Sequence, residues 1–151
     1  MFNRRRSNVY GAAHAVIIDE REQRIYELEF LGVEPPSFRS NRVVYSLRAY
    51  SGEGNEVIAV FALIFSDIPV LGTYHLSPQD TANVIGFSFG AELQGDSPRA
   101  AWSHQGEAEV VFRLERQEGR AMIGTMTGRL VFRQGGGGFQ IRECRVILAA
   151  M

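Results

Sequence analysis

The stretch Val84-Ile85-Gly86-Phe87-Ser88-Phe89-Gly90-Ala91-Glu92-Leu93 decides the fold class. In an extended chain Ile85, Phe87, Phe89, Ala91 and Leu93 fall on one side, and Gly86, Ser88, Gly90 and Glu92 on the other. A period of two sends one row of side chains into a core and leaves the other row outside.

The same reading extends in both directions. Strands are predicted over about 12–19, 24–31, 42–51, 56–66, 70–76, 83–94, 106–117, 120–132 and 139–149. Tyr26, Leu28 and Phe30 alternate with Glu27 and Glu29, Val43, Tyr45, Leu47 and Ala49 with Arg48 and Tyr50, and Ala108, Val110, Phe112 and Leu114 with Glu107, Glu109, Arg113 and Glu115. Such two-faced strands suit antiparallel sheets with one solvated side. Ser51-Gly52-Glu53-Gly54-Asn55 and Glu118-Gly119 supply hairpin turns, Gly95-Asp96-Ser97-Pro98 and Pro35-Pro36 end strands, and Gly135 to Gly138 reads as a loop. Only Pro78 to Ala82 hints at a helix, of one turn. Gly124 and Gly128 share a face with Met122, Met126, Leu130 and Phe132, which predicts a sharp bend or a close backbone approach. The expectation is a single all-β domain over 1–151, with a basic tail at 1–10. Its form is an antiparallel β-sandwich or flattened barrel of about nine strands.

Composition narrows the function classes. The 151 residues suffice for one domain, which buries roughly 70% of the surface its unfolded chain exposes. A net charge of −1 supplies no global field for nucleic acid or an anionic membrane. All sixteen basic residues are Arg, which excludes a Schiff-base lysine, a phosphate-loop lysine and a lysine general base. Cys144, the single cysteine, sits in a row with Val146 and Leu148 and reads as a buried thiol. No stretch reaches the ~18 apolar residues of a membrane helix. Arg4, Arg5 and Arg6 precede a mildly apolar stretch that His14 interrupts, so the segment reads as a tail entering the first strand. A cytoplasmic location is favoured on that ground over a secreted or envelope one.

One strand departs from the alternation. In Val57-Ile58-Ala59-Val60-Phe61-Ala62-Leu63-Ile64-Phe65 both faces are apolar. Its second face requires a cover: a loop, the N-terminal segment, another copy of the protein, or the interior of a tightly closed sandwich. Ile58, Val60, Ala62 and Ile64 are therefore candidates for an oligomer interface.

The polar candidates are scattered. His75 and His104 are isolated, without the spaced partner that metal sites supply, and read as surface or loop histidines. A hydrolase or isomerase reading uses His75 or His104, and a triad can be written from Ser103, His75 and Asp67 or Asp80. Asp19-Glu20-Arg21-Glu22 lacks the glycine and acidic ladder of a calcium loop and reads as a hairpin tip. Glu107 and Glu109 share a strand face with Arg113 and Glu115, an ordinary charged exterior. Arg4 to Arg6 with Arg39 and Arg42 form at most a small basic patch. Trp102, in a loop with Arg99 and His104, is a candidate anchor for a partner or a sugar ring, and His75 and Tyr74, from the strand predicted over 70–76, join the same candidate surface.

The C-terminal half resembles β-sandwich modules of uncharacterised bacterial secreted proteins and lipoproteins. The matching pieces are Gly72-Thr73-Tyr74, Gly106-Glu107-Ala108-Glu109-Val110 and Gly124-Thr125-Met126-Thr127-Gly128-Arg129-Leu130. That resemblance implies a fold and transfers no functional residue. The sequence expectation is a non-catalytic protein without cofactor or metal, acting through its surfaces as a homo-oligomer subunit or in a larger assembly. The alternative is a barrel that holds a small apolar or sugar-like ligand, in a cavity lined by Phe61, Phe87, Phe89 and Phe112.

Overall fold

Alternation is realised in most of the described strands. The computed structural model describes residues 9–50, 57–89, 100–103, 108–132 and 136–150, with side chains except at 89, 100 and 102. Eleven strands follow one another: β1 (Gly11–Asp19), β2 (Arg24–Gly32), β3 (Ser37–Arg39), β4 (Arg42–Tyr50), β5 (Val57–Phe65), β6 (Gly72–Leu76), β7 (Val84–Phe89), β8 (Ala100–Trp102), β9 (Glu109–Glu118), β10 (Ala121–Phe132) and β11 (Gly138–Ala149). There is no helix among the described residues. Nine of these strands correspond to the nine predicted, while β3 and β8, three residues each, are additional. Pro78 to Ala82 forms a turn instead of a helix, closed by the Asp80 amide donating to the Ser77 carbonyl at 3.0 Å.

All pairings are antiparallel and belong to one nearly closed sheet. Hydrogen-bonded neighbours run from β10 through β11, β1, β2, β4, β5, β7 and β8 and return to β10. One edge of β10 is shared end to end. β9 pairs with Ala121 to Arg129, and β8 pairs with Val131 and Phe132. β6 extends β9 outward. Its Tyr74 ring packs back on Phe65 of β5 at 5.4 Å and on Phe112 of β9 at 6.0 Å, so side chains bridge where the ladder stops.

The inward rows are those read from the sequence. Ile85 and Phe87, Val43, Tyr45, Leu47 and Ala49, and Val110, Phe112 and Leu114 are all buried. Burial of each large side chain of this kind contributes about 1.5–3 kcal/mol. The bend predicted at Gly124 and Gly128 is present as two shifts of register on β10, between Ile123 and Gly124 against β9 and between Met126 and Gly128 against β11. At Gly124 the carbonyl of Arg113 occupies the place a Cβ would take.

Candidate functional site

The aromatic interior is the place where a ligand cavity was expected. Phe30, Phe61 and Phe87 lie in mutual contact at centroid distances of 5.5, 5.7 and 6.4 Å. Phe87 continues edge-on to Phe139 at 4.9 Å, and Phe139 to Phe132 at 4.8 Å. A second group joins Tyr45, Phe65, Tyr74 and Phe112. Phe61 and Phe112 are fully buried, and these tilted and edge-to-face contacts are those of a packed core. The Phe89 side chain lies outside the described residues.

Among the described residues, the catalytic candidates do not converge. His75 is exposed on β6, level across the sheet with Val111 and Thr127, neither of which titrates. Ser103 is fully buried and clamps β7: its hydroxyl accepts the Ile85 amide at 3.1 Å, and its own amide donates to the Ile85 carbonyl at 2.9 Å. Asp67 and Asp80 accept the backbone amides of Ile68 and Ala82 in their own turns. His104, Arg99, Glu107 and Arg4 to Arg6 lie outside the described residues. Cys144 is buried, and burial pushes its thiol up to about 12, which keeps it protonated at neutral pH. Among the described residues no group of three His, Cys, Asp or Glu comes together to hold a metal. No helix there is long and apolar enough to cross a membrane.

Tyr74, nominated for a partner surface, is half-buried and turned back on its own chain. Its hydroxyl donates to the Val70 carbonyl at 2.8 Å and accepts the Val70 amide at 3.0 Å. Tyr45 has a similar structural role inside. It donates to the Ala149 carbonyl at 2.7 Å, and burial raises its hydroxyl to about 12.

The β5 candidates divide. Ile58 is buried, 8% exposed, and belongs with the core cluster. It adjoins a register shift at Ala49 and Tyr50 of β4, and so adds nothing to an outward surface. Val60, Ala62 and Ile64 are half-buried and alternate with the buried Phe61, Leu63 and Phe65. Register aligns Val44, Ile64 and Val84 in one row on the side away from Phe61 and Phe87, and Ser46, Ala62 and Gly86 in the next, with Val84 and Gly86 of β7 buried in the chain itself. The second row continues into β8, where Trp102 pairs with Gly86 on one side and with Val131 of β10 on the other. Trp102 and Ala62, nominated for separate reasons, thus occupy one row, two strands apart.

Two features had no counterpart in the sequence reading. The first is a latch at the hairpin after β1. The Asp19 carboxylate, fully buried, accepts the amides of Arg21 and Glu22 at 2.9 and 3.1 Å and shapes the turn. Glu20 then accepts two hydrogen bonds from the Arg129 guanidinium, at 2.8 and 2.7 Å, and one from Gln140 at 3.0 Å. These bonds, the Arg129 one above all, hold its carboxyl below the usual 4.5. The second is a groove of about 410 Å³ outside the sheet, lined by residues including Tyr10, Ala12, Arg120, Ala121, Ile147 and Ala149. Three outward alanines, at 12, 121 and 149, are the sequence signal that announces it.

Comparison of the chain with family models, with curated proteins and with solved structures gives no match.

Proposed function

We propose that this protein is a non-catalytic β-barrel-like subunit that works through its outer surface, associating with a second copy of itself across β4, β5, β7 and β8. The observation that carries this reading is the half-buried apolar trio Val44, Ala62 and Ile64 on the outer side of β4 and β5, whose rows run through the buried Val84 and Gly86 of β7 to the backbone of Trp102. On an antiparallel sheet whose inner face already holds the core, the outer face is ordinarily polar. Here Val44, Val60, Ala62 and Ile64 are apolar and only half-buried, which suits close approach of another sheet face. The dispersed titratable residues favour a binding role over a catalytic one. The packing of Phe61, Phe87 and Phe112 favours surface action over a ligand held inside. The modules that the C-terminal half resembles supply a fold for this reading and no residue roles.

Light scattering on the eluting protein at high micromolar concentration tests it. The wild type is expected to run as a dimer or larger, and Ala62→Arg or Ile64→Glu as a monomer with unchanged circular dichroism. Trp102→Ala should weaken association in the same direction. A wild type that stays strictly monomeric, or charged variants that associate as before, would sink the reading.

A further inference from the structure

The groove lies on a different face from β5. Register places Ala12 opposite Ile147, Ile147 opposite Ile123, and Ala121 opposite Ala149, all on the outer side of β1, β11 and β10. The floor is hollow because Ala12, Ala121 and Ala149 are short, and its rim is fixed by the backbone. Tyr10 donates to the Gly32 carbonyl at 2.7 Å and accepts the Ala149 amide at 2.9 Å, while the Ala150 amide bonds the Arg120 carbonyl at 2.6 Å. Ile147 and, one strand beyond Ala12, Leu31 are 44% and 43% exposed, so apolar surface continues past the groove.

Polar side chains enter the lining only from Tyr10 and Arg120. Among the described residues neither has a side-chain hydrogen bond or ion-pair partner. The carboxylate nearest in register, Glu118 opposite Ala121, is already held by Arg116 at 2.6 Å. An apolar trough of ligand size, with at its end one guanidinium that has no partner among the described residues, is complementary to an amphiphile with a single negative head. We infer that this groove binds a small amphiphilic carboxylate of the medium-chain fatty-acid type, its chain along Ala12, Ala121, Ile147 and Ala149 and its carboxylate on Arg120. The inference does not rest on association through β5.

Decanoate is the probe, titrated below its micelle concentration into the wild type at neutral pH, with decan-1-ol and acetate as controls. Calorimetry gives affinity, and amide chemical shifts give the place. Decanoate is expected to saturate at one equivalent and to move the amides of Ala12, Ala121 and Ala149, while acetate does neither. Arg120→Gln should weaken decanoate about fivefold and leave decan-1-ol unaffected, since only the charged hydrogen bonds are lost. Ala121→Leu, which fills the trough, should abolish both. Ala62→Arg should leave decanoate affinity unchanged. The inference is overturned by an absence of saturable binding, by shifts confined to the interior around Phe61 and Phe87, or by equal affinity in Arg120→Gln. It is also overturned if Arg120→Gln or Ala121→Leu dissociates an oligomer that never bound decanoate, for the groove is then an interface between copies. Arg120 is exposed in a turn, so its variant folds and carries the test even if Ala121→Leu does not.

Discussion

At Gly128 a single hydrogen atom in place of a side chain decides whether two strands can pass. Its φ is +145°, a region that L side chains rarely adopt, and a Cβ there would meet the Glu109 carbonyl and lie 2.6 Å from Val110 Cα. The obstruction is backbone, which cannot swing aside as a side chain would. Gly128→Ala is therefore expected to cost roughly 2–4 kcal/mol in a urea unfolding experiment, combining backbone strain with overpacking. Gly136→Ala is the control. A Cβ at Gly136 meets nothing within 4 Å, and its effect should stay within about 0.5 kcal/mol. Equal midpoints for the two variants would refute this account of the bend. Gly128 was legible as a bend because it occupies a position in an inward row where a large residue belongs. The Arg120 groove was not, because alanines facing outward look in sequence like any undistinguished surface.

Elements were legible in proportion to their length. β9, β10 and β11 span ten to twelve residues and declare themselves by alternation. β3 and β8 have three residues each, too few to show a period, and the turn joining β3 to β4 gave no signal of its own. Ser40 and Asn41 both adopt positive φ, 49° and 63°, without the glycine that usually marks such a hairpin. The hairpin tip between β1 and β2 was legible as a turn, but its latch was not. Glu20 and Arg129 are 109 residues apart, and only the closed sheet brings them together. That latch makes stability depend on pH with a definite sign. The folded Glu20 carboxyl titrates below 4.5, so its contribution is complete above that value and disappears as pH falls through the folded one. Against Glu20→Gln, the wild type should hold an advantage of roughly 1 kcal/mol at pH 7 that closes in acid, read from urea midpoints across pH. An advantage that persists undiminished at pH 3 would mean that the carboxylate charge is not what Arg129 recognises.

For the whole molecule, the sheet is held unevenly around its circumference. β1 is paired along its full length on both sides, to β2 and to β11, and β10 to β11 nearly so. By contrast, among the described residues the return from β7 to β10 passes through β8, which pairs at three positions with one neighbour and two with the other. Local opening free energy follows the number of hydrogen bonds and the apolar area that must be released together. Native-state hydrogen exchange should therefore find β8, and the last residues of β10 against it, opening well before β1 and β11, whose amides exchange only on global unfolding; β2 meets β4 at the single position Leu31–Arg48 and is held mainly by β1. Ala101, fully buried and paired with both Phe87 and Phe132, sits at the centre of this seam. If its amide proves as protected as that of Ala15 in β1, closure through β8 is cooperative and this seam is not weak. If it opens first, the seam coincides with the row through Gly86 and Trp102 proposed to meet a second copy. Association across that row would then slow exchange in β8 as protein concentration rises, while β1 and β11 stay unchanged. An unassociated sheet would show no such concentration dependence, so the one experiment tests both the strength of the seam and what covers it.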